Sequence, residues 1–296
     1  MGLHIGERVK ALRLSKWMTQ ADLAGGHITR NMLSSIEHGT ALPSLPTAVY
    51  LAQRLNVPVG YLLAEPSEEF FYRKMANIAN IRKAFTSKDY IGCLSLLTAM
   101  GDEQDDELWL LRAECEYGVG QNALEGGHLR HAAAAWDRAL NALEKTVYRT
   151  AWLRERIAVC FRYLADVSAT LVSDVLDAEE IEGARALGDP LVEYAMAVEA
   201  IEADHTYAAE EFIRRHPDTL YADRLRALLL MGQNDYMEAQ RALEQLLNKD
   251  ELTFGVLLYE VFGDLEICYR KNDDYKRAYE FSGSRLGLLE RLLEEV

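Results

Sequence analysis

Thr19-Gln20-Ala21-Asp22-Leu23-Ala24-Gly25-Gly26-His27-Ile28-Thr29-Arg30-Asn31-Met32-Leu33-Ser34-Ser35-Ile36-Glu37-His38-Gly39 is the stretch whose reading decides the fold. Thr19 is a good N-cap, and Asp22 three residues on is a near miss to the Thr-x-x-Glu capping box. Leu23 and Ala24 then point inward, and Gly25-Gly26 ends a short helix because glycine readily takes left-handed backbone angles. Thr29 caps a second helix that opens with Arg30, Asn31 and Met32. Leu33 and Ile36 are its inward residues, and Gly39 fits the position just past its end. Two short helices joined by a tight glycine turn, the second beginning with short polar side chains, suit a unit that enters a major groove about 12 Å wide and reaches base edges.

Working outward, a helix is expected over roughly His4–Leu14, where Ile5, Val9 and Leu12 form one buried stripe. After Pro43 in a loop, another helix starts near Leu45-Pro46, because proline is favoured in a first turn. Val49, Ala52 and Leu55 make its inner stripe, and Asn56 and Pro58 end it. A last short helix over about Val59–Leu63 closes the domain with Leu62.

Thr19-Gln20-Ala21-Asp22-Leu23-Ala24, Ser35-Ile36-Glu37-His38-Gly39, Pro43-Ser44-Leu45, Leu51-Ala52 and Leu55-Asn56-Val57-Pro58 occur in order and at suitable spacing. Together they make residues 3–64 resemble the Cro/C1-type (Xre) helix-turn-helix family. The turn Gly25-Gly26-His27-Ile28 is one residue shorter than that family's usual turn. The resemblance implies a five-helix, lambda-repressor-like DNA-binding domain over 1–66, with double-stranded operator DNA as partner. It implies that Gln20 holds a phosphate and that Thr29 caps its helix and touches a phosphate. Arg30, Asn31, Met32, Ser34 and Ser35 would face the groove or its walls, and Glu37 would be a structural acid. His27 and His38 are expected to be plain surface residues. A single head makes few contacts, so a homodimer reading two half-sites is expected.

The net charge of the 296-residue chain is −15. That sum hides an asymmetry, since residues 1–66 carry +2 and the remainder −17. DNA affinity depends on local cations at phosphates, so the acidic bulk does not exclude nucleic acid but should be held off the duplex.

The remainder, 67–296, is entered through a short linker over 65–71. Beyond Pro66 it holds prolines only at Pro190 and Pro217 and shows no strand-type alternation, so an all-α segment is expected. At about 230 residues it is too long for one bundle, which points to a repeat. Asp89-Tyr90 precedes Cys93, Leu129 precedes Ala132, Asp235-Tyr236 precedes Ala239 and Asp274-Tyr275 precedes Ala278. In each, a ring or a leucine is followed at +3 by a small residue, as a helix hairpin needs at a thin contact. Positions 90 and 129 lie 39 apart, as do 236 and 275, and Tyr207 lies twice 39 beyond 129. The step from 207 to 236 is only 29, so the register slips there. Phe262, Leu265 and Tyr269 have the offsets of the first helix of a tetratricopeptide repeat. Five or six degenerate tetratricopeptide-like repeats stacked as an α-solenoid are the expectation, with an irregular solenoid or bundle as the alternative. The last helix, Leu286 to Val296, carries Leu286, Leu289, Leu292 and Leu293 on one side. This stripe either packs internally or forms a dimer seam.

Searching for catalytic and cofactor chemistry gives little. No Gly-x-Gly-x-x-Gly, Walker loop or His-Glu-x-x-His occurs. Gly118, Gly120, Gly126 and Gly127 are read as bordering a polar loop. His128 and His131 lack a third ligand, and the acidic run 101–107 lacks calcium-loop order. Glu179-Glu180 and Glu210-Glu211 read as solvated helix faces. Cys93, Cys115, Cys160 and Cys268 form no Cys-x-x-Cys pair and read as buried, reduced thiols. No enzyme activity, cofactor or metal is therefore expected. With no run of 18 apolar residues and no apolar signal core, neither a membrane partner nor export is expected, and a cytoplasmic location follows.

A helix-turn-helix head joined to tetratricopeptide-like repeats is similar to the Rgg/PlcR-like group of peptide-responsive regulators of Gram-positive bacteria. That resemblance implies a homodimer whose repeats bind a small signalling peptide on a concave face, at residues the sequence does not locate. The alternative is a scaffold whose repeats recruit a protein partner to DNA without a diffusible ligand.

Overall fold

The computed structural model describes residues 2–65, 68–101, 104–185 and 188–294, with the side chains of residues 2–4 left out. Pro66 and Ser67 of the expected linker, Asp102 and Glu103 of the acidic run, and the last two residues of the expected final helix lie outside the described residues. Among the described residues the structure is helical, without a named strand.

The chain divides into two compact units, Met1–Lys83 with Thr98–Glu103, and Ala84–Leu97 with Gln104–Val296. The helix α6 (Glu69–Thr86) thus falls largely in the first unit. No described helix is long and apolar enough to cross a membrane.

The first unit opens with α1 (Gly2–Ser15), α2 (Gln20–Ala24), α3 (Arg30–Glu37), α4 (Leu45–Leu55) and α5 (Val59–Leu63). Ile5, Val9, Leu23, Leu33, Ile36, Leu51, Leu55 and Leu62 form its core. The inner face of α4 is Ala48, Leu51, Ala52 and Leu55, and Val49 is only half-buried. The expected stripe was therefore displaced by one position at its start. Ser44 caps α4, and Asn56, in the left-handed region at φ 50°, closes it.

The second unit is built from helices that pack in sequential pairs. After α7 (Tyr90–Ala99), α8 (Asp106–Glu125) lies along α9 (Leu129–Leu143) and α10 (Ala151–Val167) against α11 (Ala178–Gly183). Then α12 (Pro190–Glu202) pairs with α13 (Tyr207–Arg215), α14 (Leu220–Gly232) with α15 (Tyr236–Leu247) and α16 (Val256–Lys271) with α17 (Tyr275–Leu293). Three of the four repeated sequence pieces sit at the turns of these hairpins, and Asp89-Tyr90 opens α7. Lys88, Gly127, Asp204, Asn234 and Asp273 each take positive φ two or three residues before the next helix begins. Asp89, Asp235 and Asp274 follow three of them and accept backbone N–H bonds from Gly92, Glu238 and Arg277. The +3 residues Cys93, Ala132, Ala239 and Ala278 are all buried, so the thin contact read from spacing is present.

Two irregularities explain the broken spacing. A step of 39 from Leu129 leads to Ser168, where the chain leaves α10 and forms no helix until the six-residue α11. The pair α13 and α14 is short, at nine and 13 residues, which brings Tyr236 only 29 positions after Tyr207.

Two expectations in this unit need correction. Gly118 and Gly120 do not border a loop. They lie inside α8, where the Tyr90 ring and the Trp136 indole press so close to the backbone that a Cβ at either would overlap them. The C-terminal leucines belong to the long α17, whose inward residues are Leu288 and Leu292, while Leu286 is exposed. Its end is held by Arg130, which donates to the Leu293 carbonyl at 2.9 Å. The stripe packs largely inward because the helix starts eleven residues earlier than its leucines suggest.

Candidate nucleic-acid interface

The candidate site is assembled from the bottom of the first unit's core upward. Val9 and Ile36 bring α1 and α3 together, and Gly6 makes this approach possible: a Cβ there would overlap the Ile36 carbonyl oxygen. Across the same contact, the Arg13 Nε lies 2.6 Å from Oε1 of Glu37, and a second guanidinium nitrogen lies 3.0 Å from Oε2. Gln20 donates to Oε2 of Glu37 at 2.8 Å, and Arg13 also donates to the Met18 carbonyl at 2.8 Å. One carboxylate therefore ties α1, α2 and α3 together. Burial pushes the Glu37 carboxyl up, but hydrogen bonds from Arg13 and Gln20, with the charges of Arg13 and Lys10, outweigh it and hold the group below its ordinary range.

The turn between α2 and α3 is clamped as well. Asp22 completes a full capping box with Thr19, so aspartate performs the task that the sequence pattern assigns to glutamate. Gly25 takes φ 53° beneath the Tyr50 hydroxyl, which donates to the Ala24 carbonyl at 3.0 Å. His27 stacks on the Tyr50 ring at 4.5 Å with the planes 13° apart. Arg54 donates to the Asp22 carbonyl at 2.6 Å. His27 is thus exposed but serves as a brace, and the short turn is fixed against α4. His38 places Nδ1 2.7 Å from the Ser34 carbonyl at the end of α3.

From this mount, α3 presents the residues expected to face DNA. Thr29 caps it by accepting from the Met32 N–H at 3.1 Å. Arg30, Asn31 and Met32 are exposed, and Ser34 and Ser35 are half-buried. Gln20 is half-buried and commits one amide N–H to Glu37, leaving its second N–H for an outside acceptor. A concavity of about 840 Å³ brings Gln20 and Arg30 together with Arg13, Leu14, Trp17, Met18, Thr19 and Ala21. Trp17 was not singled out in the sequence. The only signal was an aromatic residue in a polar turn.

The local charge is smaller than the count of cations suggests. Arg8 donates to the carbonyls of Tyr61 and Ala64, both at 2.8 Å, and closes the end of α5. Arg13 and Arg54 are committed as described. Lys10, Lys16, Arg30 and Arg54 are the exposed cations among the six, and of these Arg54 already donates to the Asp22 carbonyl.

Elsewhere, the titratable groups are structural. The four cysteines are buried and free, and burial raises the thiols of Cys93, Cys115 and Cys160, and that of Cys268 to about 12. Such thiols are poor nucleophiles. His128 and His131 rings lie edge to face at 5.9 Å. Glu179, Glu180 and Glu210 are exposed, as expected of solvated helix faces; Glu180 also caps α11 with Asp177 and pairs with Arg154, and the half-buried Glu211 pairs with Arg214.

These features define a helix-turn-helix domain. Residues 9–62 match the helix-turn-helix family. Among solved structures, the chain is similar to PlcR of Bacillus thuringiensis in complex with the peptide PapR7 and DNA, at 14% identity over 99% of this chain and 100% of that one, with a TM-score of 0.25. It is similar to ComR of Streptococcus vestibularis with its cognate signalling peptide XIP, at 17% identity over 97% and 99%, with a TM-score of 0.25. ComR of S. thermophilus with DNA and its signalling peptide ComS matches at 17% identity over 96% and 99%, with a TM-score of 0.22. No curated protein matches the chain.

Proposed function

We propose that the protein is a sequence-specific transcriptional regulator that reads operator DNA with α3. Arg30 and Asn31 reach base edges, Met32, Ser34 and Ser35 line the groove, and Gln20 and Thr29 hold phosphates. The observation that supports this is the exposed Arg30-Asn31-Met32 start of a helix anchored at its far end through Glu37 to Arg13 and Gln20. A rigid mount lets a few polar side chains discriminate, since each good bidentate base contact is worth about 1–3 kcal/mol. The test selects a binding duplex from a random pool with the wild-type chain and then titrates it with the Arg30→Ala/Asn31→Ala variant. Unaltered sequence-specific binding by that variant would show that another face reads DNA.

With only four exposed cations on the head, one of them (Arg54) already hydrogen-bonded within it, one head binds weakly, and the protein acts as a homodimer on two half-sites. Its second unit is the tetratricopeptide-like sensor for a small effector, a peptide in the preferred reading. A cavity of about 430 Å³ there is lined by Tyr163, Tyr221, Phe254 and Val256 together with Glu125 and Asp218, a mixed apolar and polar lining suited to a short peptide segment. An effector that favours one dimer geometry by ~100-fold supplies about 2.7 kcal/mol, enough to shift operator occupancy. Short peptides encoded beside the gene, added to the purified chain, should change its Tm and operator affinity. No change with any of them favours the scaffold reading.

A further inference from the structure

We propose that Trp17 is a DNA-backbone contact, its indole packed on a deoxyribose and donating its N–H to a phosphate beside the groove that α3 enters. The inference rests on the DNA-binding reading above and adds a residue that reading does not use. Among the described residues, the non-glycine positions with positive φ are Trp17, Asn56, Lys88, Asp204, Asn234 and Asp273. Asparagine and aspartate visit this region routinely and lysine is flexible, whereas a bulky aromatic side chain is a genuine outlier there. Glycine is the residue that position 17, at φ 56°, favours. The ring gains nothing inside the protein to offset this, because Trp17 is 94% exposed. Both the backbone conformation and the hydration of the ring count against tryptophan in the isolated molecule.

The residue is nonetheless held firmly. Its N–H donates to the Leu14 carbonyl at 3.0 Å, and the next residue, Met18, donates its N–H to the Arg13 carbonyl and accepts from the Arg13 guanidinium. Arg13 is itself gripped by Glu37, so the ring stands on the same mount as α3. It lines one concavity with Gln20 and Arg30, and Lys16 beside it is exposed. An indole offers a single N–H donor and a broad apolar face, which match a phosphate oxygen and the C–H face of the adjoining sugar. Such contacts position a protein on the duplex without reading its sequence.

Trp17→Gly is the informative variant, because conformational strain and DNA contact predict opposite signs for it. The full-length variant should melt at the same temperature or higher. It should bind both a random-sequence duplex and the duplex selected by the wild-type chain about tenfold more weakly, the scale of an aromatic stacking contact with nucleic acid. Trp17→Phe, which keeps an apolar ring without the N–H, should fall between. The Trp17 emission, taken as wild type minus Trp17→Phe, should shift to shorter wavelength on adding either duplex. Binding by Trp17→Gly equal to wild type, while Arg30→Ala loses affinity, overturns the inference and leaves the DNA-binding reading standing. So does a loss confined to the selected duplex, which would indicate base reading, or a lower Tm, which would mean that packing holds the ring. If the wild-type chain binds neither duplex, the DNA-binding reading falls and this inference with it.

Discussion

Arg13 and Glu37 face each other across α1 and α3 as a buried two-point ion pair, 2.6 Å apart at the closest atoms. Breaking such a pair from one side leaves an uncompensated buried charge, so Glu37→Gln should cost about 3 kcal/mol. The same carboxylate receives Gln20, so the loss should loosen α2 as well as α3. Urea unfolding of the full chain, followed as two transitions, would place the loss in the first unit. Because the Glu37 pKa is lowered from 4.5 on folding, the pair's contribution is present above that value. It is lost as pH falls through the lower, folded value. The Tm difference between wild type and Glu37→Gln should therefore shrink on acidification below about pH 4.5.

The second unit contains a carboxylate with the opposite sense. Arg224 is buried and pairs with Asp264 at 2.7 Å and Glu260 at 3.0 Å, and it also donates to the Tyr194 hydroxyl. Tyr163 and Tyr194 both donate to Glu260, at 2.9 and 2.8 Å. One guanidinium thus serves two buried carboxylates. Burial pushes the Glu260 carboxyl up, more than Arg224 and the tyrosines pull it down. A raised folded pKa adds stability below the unfolded value that is lost as pH rises through the folded one. Relative to Glu260→Gln, the wild-type second unit should therefore lose stability as pH rises from the acid side. Melting curves of the two chains across that range check the sign, and parallel curves would count against it.

Gly6 shows how closely α1 and α3 approach. Gly6→Ala would press a methyl group on the Ile36 carbonyl, and backbone cannot swing aside as a side chain can. Overpacking costs typically 1–3 kcal/mol, and about 3 kcal/mol is expected here. Because the strain displaces α3 itself, operator binding should weaken even at temperatures where the variant remains folded. A variant with normal Tm and normal binding would show that the helices slide apart freely.

Much of this architecture was legible in local chemistry. Thr19, Gly25, Thr29, Gly39 and Asn56 mark helix ends through caps and left-handed turns that depend on neighbours only a few residues away. The hairpin turns of the second unit were legible for the same reason at Asp89, Asp235 and Asp274. What the sequence hid depends on distant partners. Gly118 and Gly120 read as loop residues until Tyr90 and Trp136 come to lie on them. Leu288, off the stripe read from Leu286, Leu289, Leu292 and Leu293, is buried because the long α17 turns it toward the core. In the candidate interface, the exposure of Arg30, Asn31 and Met32 followed from their position after Thr29. The commitment of Gln20 to Glu37 and the exposure of Trp17 did not, because each depends on where another helix runs.

The proposed division of labour on the head can be separated by salt and sequence. Arg30 and Asn31, exposed at the start of α3, are assigned to base edges. Alanine at either should cost ~1–3 kcal/mol on the selected duplex and relax preference at particular base pairs. Lys16 is exposed in the turn after α1 and is assigned to a phosphate. Lys16→Ala should weaken binding about equally on selected and random duplexes and reduce the slope of log affinity against log salt by about 1. Titrations of all three variants over a range of salt, on both duplexes, measure these quantities. If Arg30→Ala and Lys16→Ala change affinity in the same proportion on every sequence, then Arg30 also serves the backbone, and base reading falls to Asn31 and the half-buried Ser34 and Ser35 further along the helix.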